Sequence, residues 1–135
     1  GADRARHRGA HLSGRRRKKN LIIAAHVAAD ADRFDCKRCP WGRHCDAGNP
    51  AGFDLFVIEM RGRPPIKSRT CFLPMLTAKT RQYLRLHGHY EKQILPYGGG
   101  FLDQPHAYAL AMETLTDTFA AINAERDRRA REKKR

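Results

Sequence analysis

FDCKRCPWGRHC, Phe34 to Cys45, holds three of the four cysteines of this 135-residue chain in the spacing C-x2-C-x5-C. A proline follows the second cysteine, and the only tryptophan lies inside the stretch. The fourth cysteine, Cys71, stands alone further on. Four thiols match the donor count of an all-cysteine zinc or iron–sulfur site. Two disulfides are a poorer reading. Cys36 and Cys39 are too close in sequence to pair except as a redox C-x-x-C bridge, which belongs at a helix start in a βαβ pattern that this chain lacks. Zinc sites usually bring two short knuckles, and here there is only one. The expected ligands are Cys36, Cys39, Cys45 and Cys71, holding a [4Fe-4S] cluster or, alternatively, one Zn2+. His44 is a further zinc donor, but its adjacency to Cys45 makes joint ligation awkward.

Outward from the cysteines, the charge is uneven. The chain carries a net +13. Residues 1–20 account for +7, residues 125–135 for +4, and the 104 residues between for only +2. The organisation expected is a basic disordered arm over residues 1–19, a metal-stapled domain over 20–124, and a charged helical tail over 125–135. Arg15, Arg16, Arg17, Lys18 and Lys19 are the candidate contacts for nucleic acid or an acidic protein surface, since clustered cations displace counterions from phosphate. No apolar run approaches the ~20 residues of a membrane span. Leu21–Ala29 follows a positive stretch as a secretory leader would, but its histidine and the cysteines just beyond make it a helix start.

The pattern predicts a mostly helical α+β fold with two to three helices, one or two short strands and basic tails. Asn20 is the expected N-cap of a helix from Leu21 to about Asp32. A turn is expected at Ala47–Gly52. Phe53–Met60 is the best strand, and the paired prolines of Arg61–Thr70 argue for a loop there. Cys71-Phe72-Leu73 reads as a second strand or as the return of the chain to the cysteines. Thr77 should cap a helix over 78–90. Ile94–Phe101 is a glycine-rich connection, and Asp103-Gln104-Pro105 opens the last helix. Tyr108, Met112, Leu115 and Phe119, continued by Ile122, form an apolar seam on it. That seam serves either the protein's own core or, as the candidate partner surface, a helix of another chain.

CKRCPWGRHC resembles the iron–sulfur segment of RecB-type nucleases, including the CRISPR-associated ones. In them, C-x2-C-x5-C with a Pro-aromatic pair binds a [4Fe-4S] cluster. The resemblance spans ten residues and implies Cys36, Cys39 and Cys45 as ligands. The fourth cysteine lies upstream in those nucleases, whereas Cys71 is downstream. Nuclease chemistry would need an acid and then Glu-x-Lys on a strand to hold Mg2+. Asp54 and Glu59 fall on the predicted strand, but Arg61 stands where the lysine belongs. No nucleophile elbow or P-loop occurs either, so no enzyme and no small-molecule substrate are expected.

From Thr70 to Leu115, the phrases LPMLT, YLRLHGHY and LPYGGGFLDQP resemble small proteins encoded in the tail-morphogenesis region of long-tailed bacteriophages and prophages. That resemblance implies a tail assembly factor or minor structural component. Its partners would be other phage tail proteins, and its place the bacterial host cytoplasm during assembly, or the virion. The alternative from the residues alone is a nucleic-acid-binding metal module whose basic arm supplies the affinity.

Overall fold

The structure, a computed structural model, describes residues 2–40, 45 and 56–134, with side chains from residue 15 onward. The described residues form a mostly helical α+β fold, with three α-helices and a two-stranded antiparallel sheet among them. The turn predicted at Ala47–Gly52, the first half of the strand predicted from Phe53, and His44, Trp41 and Asp54 lie outside the described residues.

Helix α1 runs from Ala2 to Ala29. It therefore does not begin at Asn20, and the arm expected to be disordered is continuous with the helix that follows. Arg, Lys and Ala are good helix formers, and Arg15–Lys19 remain exposed, so the helix extends through them without having to bury charge. Its second half is apolar almost all round. Leu21, Ile22, Ile23, Ala24, Ala25 and Val27 are all buried, because this segment is packed on two sides. Ile23, Ala24 and Val27 join one apolar cluster with Phe56, Ile58, Phe72 and Leu76. Leu21 and Ala25 join a second with Tyr108, Ala111, Met112 and Leu115. A helix buried on both sides needs no polar stripe, and the two fully buried alanines at its centre let the neighbouring elements approach closely.

Strand β1 (Phe56–Ile58) pairs antiparallel with β2 (Ile66–Ser68). The register sets Phe56 opposite Ser68, Val57 opposite Lys67 and Ile58 opposite Ile66. Alternation is clear on β1, with Phe56 and Ile58 buried and Val57 exposed. The segment after Arg61 was expected to be loop throughout, and this is corrected. The turn closes over Met60–Arg63, where the Arg63 N–H meets the Met60 carbonyl at 3.2 Å. Gly62 supplies the positive φ of 74° that the turn's third position requires. Pro64 and Pro65 stay outside the ladder, which resumes at Ile66. The second strand is thus Ile66–Ser68 and not Cys71–Leu73.

Phe72 meets Phe56 edge-on, with centroids 6.1 Å apart, and a 3-10 turn follows at Leu73–Met75. Helix α2 (Ala78–Glu91) is capped as expected, the Thr77 hydroxyl accepting the Thr80 N–H at 3.1 Å. Two residues past its end stands Gln93, a non-glycine residue at φ 65°. The glycine-rich connection is tied by Gln104, a buried side chain. Its amide accepts from Tyr97 N at 3.1 Å and donates to the Tyr97 and Gly100 carbonyls at 2.9 and 3.1 Å.

Helix α3 spans His106–Lys133, with Pro105 just before it. Its seam is corrected in use: Tyr108, Met112 and Leu115 are buried against α1 and α2, and Phe119 is half-buried with them. These residues form core and offer no free face to a partner helix. Burying each large side chain is worth about 1.5–3 kcal/mol, and Leu21 and Ala25 on α1 supply the surface they fill against. Between the helices, His87 on α2 stacks on Phe119 at 5.4 Å and hydrogen-bonds Thr116 at 3.0 Å. Past Ala124 the helix is charged, as read from the sequence. Glu125 pairs with Arg128 at 2.5 Å and with Arg129 at 3.3 Å, which holds its carboxyl down at about 2. Arg126 reaches back to donate to the carbonyl of Ala29 at the end of α1, satisfying one of the carbonyls a helix terminus leaves unpaired. Both expected domain boundaries, at residues 20 and 125, fall inside helices.

Candidate metal centre

The four cysteines arrive from two directions. After α1 the chain turns at Asp30–Phe34, and Asp35 then caps a 3-10 turn over Cys36–Arg38 by accepting the Lys37 N–H at 3.0 Å. Cys39 leaves this turn at φ −59° and ψ 114°, outside the helical region that a following proline disfavours. Cys36 is exposed, and Cys39 and Cys45 are half-buried. From the other side, Cys71 follows the β hairpin and packs against the apolar cluster that holds Phe72 and Ile23. The second half of the fold thereby presents a thiol anchored on the core.

All four line one cavity of about 290 Å3, together with Phe34, Leu73 and Arg33. They are free thiols. Cys71 is pushed above the usual thiol range, first by its burial and then by the charges that Cys45, Cys39 and Cys36 would carry beside it. The Leu73 N–H, 3.4 Å from its sulfur, works in the opposite direction. Four thiolates brought together would repel one another, and a cation among them would remove that repulsion. An N–H aimed at sulfur is also the kind of contact that tunes a bound cluster. Among the described residues, however, no three Cys, His, Asp or Glu side chains form a group that could hold a metal ion as they stand. The cysteines surround a cavity and do not close on a point. In donor chemistry they fit a four-thiolate group. Arg33 and Asp35 both line the wall, and Arg33 pairs with Asp30 at 3.4 Å, so the exposed Lys37 and Arg38 of the adjoining turn are the cations that would offset part of its negative charge.

The other expected site residues lie elsewhere. Arg15, Arg16, Arg17, Lys18 and Lys19 are exposed on α1. Tyr108, Met112 and Leu115 are in the core. Glu59 follows β1 and is exposed. Sequence reasoning missed the wide groove that Arg16, Arg17 and Lys18 share with the start of α2 and with α3. No local spacing encodes it, because its walls come from segments about 60 and 90 residues apart. No helix of the described residues is long and apolar enough to cross a membrane. No family model matches the chain, and no curated protein or solved structure matches it either.

Proposed function

We propose that this chain is a tail-assembly factor or minor tail component of a long-tailed bacteriophage or prophage. It acts through protein–protein contacts in the bacterial host cytoplasm and folds around a structural four-cysteine [4Fe-4S] group. The observation that carries the metal part is the convergence of Cys36, Cys39, Cys45 and Cys71 on one cavity. A single zinc would draw all four sulfurs to about 2.3 Å from one point. The choice of the cluster over zinc rests on the single C-x2-C knuckle, where zinc sites usually bring two. Four protein thiolates on such a group leave no open position for a substrate, so its role is to join the end of α1 to the start of the C-terminal half. The tail part rests on the phrases of Thr70–Leu115. Their physical content is the glycine-rich turn that Gln104 ties just before α3.

Deleting the gene from a phage or prophage that encodes this chain tests the reading. Filled heads without complete tails are expected, and purified tail proteins should bind the tagged chain. Normal tails from the deletion would contradict it.

The exposure of five consecutive cations, Arg15 to Lys19, favours a second reading, a nucleic-acid-binding metal module. It calls for binding that weakens steeply with salt and vanishes when residues 1–19 are removed.

A further inference from the structure

We infer that the groove between α1, the start of α2 and α3 is the partner-binding surface, and that its occupant is an amphipathic helix of another protein with an acidic flank and a basic one. The inference rests on the protein-binding reading above and gives it a location, now that the α3 seam is known to be core.

The groove encloses about 700 Å3. Its floor is apolar: Leu21 and Ile22 of α1, half-buried Tyr83 of α2, and Leu110 of α3, which is 49% exposed. One wall is cationic, with Arg16, Arg17 and Lys18 on α1, Lys79 on α2 and Arg63 on the hairpin turn. None of these five forms an ion pair among the described residues. The lining contributed by α3 carries the carboxylates Glu113 and Asp117.

This asymmetry selects the ligand. A nucleic-acid strand needs cations along its whole track and aromatic platforms for its bases. Here the α3 lining is acidic, and Tyr83 is the single aromatic residue in the groove. A helix that lays an apolar stripe on the floor uses the standard helix-in-groove mode. Its own carboxylates would face Arg16, Lys18 and Lys79, and a lysine flank would face Glu113 and Asp117. The two charged linings thereby set the rotation of the bound helix about its axis as well as its affinity.

The test uses the full chain as purified and a synthetic probe of about 20 residues. The probe has Leu at i, i+3, i+4 and i+7, Glu along one flank and Lys along the other. Its scramble and a duplex DNA of about 20 base pairs are the controls. Fluorescence anisotropy should give at least about tenfold tighter binding of the patterned peptide than of the scramble. Arg16→Glu/Lys18→Glu and, separately, Leu110→Gln should each remove about tenfold or more. Arg131→Glu/Lys133→Glu, at the far end of α3, should leave binding within about twofold. All the altered positions are exposed, and unchanged circular dichroism confirms that each variant folds.

Equal binding of peptide and scramble would overturn the proposal. So would duplex binding that is lost in the charge variant and indifferent to Leu110→Gln, because the groove would then serve nucleic acid. If a tail protein binds the wild-type chain and binds both groove variants equally well, the groove assignment falls and the tail reading stands. If no tail protein binds any form, the tail reading falls, and the peptide result still decides whether the groove takes such a helix.

Discussion

Cys71 Sγ accepts the backbone N–H of Leu73 at 3.4 Å, and both residues border the cavity that also receives Cys36, Cys39 and Cys45. One thiol of the set is thus fixed to the core while another, Cys36, is exposed. The difference separates ligation from packing. Cys36→Ser removes almost no buried surface, so as a packing change it should be nearly silent. As the loss of a ligand it should cost about 3 kcal/mol or more, roughly a 10 °C fall in Tm, and release the metal. Cys36→Ser and Cys71→Ser are expected to behave alike in metal content and in differential scanning fluorimetry. A silent Cys36→Ser would remove the staple.

The helical core should weaken in mild acid. His87 is 3% exposed, and burial holds its pKa below the usual imidazole value, against the pull of Glu91. His26 is lowered by burial and then by Arg126, with Asp30 opposing. For each, the unfolded chain takes up a proton near pH 6.5 while the folded chain still resists it. Stability is therefore complete above about pH 6.5 and falls as the pH drops below it. Urea midpoints measured from pH 7.5 to 5 should decline, and His87→Gln should flatten part of that slope. A midpoint that rises on acidification would contradict the sign.

The seam on α3 allows a paired prediction. Leu115 is fully buried, and Leu115→Ala should cost about 2–5 kcal/mol. The Tyr108 hydroxyl is buried without a hydrogen-bond partner among the described residues. Removing a buried polar group that has no partner costs little or stabilises, so Tyr108→Phe should change stability by less than about 0.5 kcal/mol or raise it. Chemical denaturation of the two variants checks both. A Tyr108→Phe loss comparable to that of Leu115→Ala would show that the hydroxyl is held.

Gln104 should matter more than its polarity suggests. Its amide makes three hydrogen bonds to the backbone of Tyr97 and Gly100. Gln104→Ala leaves those groups to water and frees the turn, at a cost of about 1–3 kcal/mol. Hydrogen exchange at Tyr97 N–H should accelerate. Unchanged protection there would mean that the glycines alone hold the turn.

How far the sequence was readable depends on how local each determinant was. Thr77, the Gly-rich connection and the heptad-like seam of α3 were legible because a cap, a turn and a helical face are each encoded within a few residues. The seam's destination was not, since Tyr108 and Met112 read the same whether they face α1 or another chain. The α1 start was missed because Asn20 is a good cap in isolation, and the Arg and Lys before it are good helix formers that also compose disordered arms. The strand at Ile66 was masked by Pro64 and Pro65, the two residues just before the ladder. The convergence of Cys71 with the Cys36–Cys45 loop was anticipated from donor count alone. The groove beside Arg16 and Lys79 came only with the packing of three separate segments.

The most direct measurement of the central claim is the iron, sulfide and zinc content of the chain purified under anaerobic conditions, read together with its visible absorption. About four iron and four sulfide per chain are expected, in brown protein that loses both in Cys71→Ser. Colourless protein carrying one zinc, or metal-free protein whose Tm is indifferent to a chelator, would contradict it.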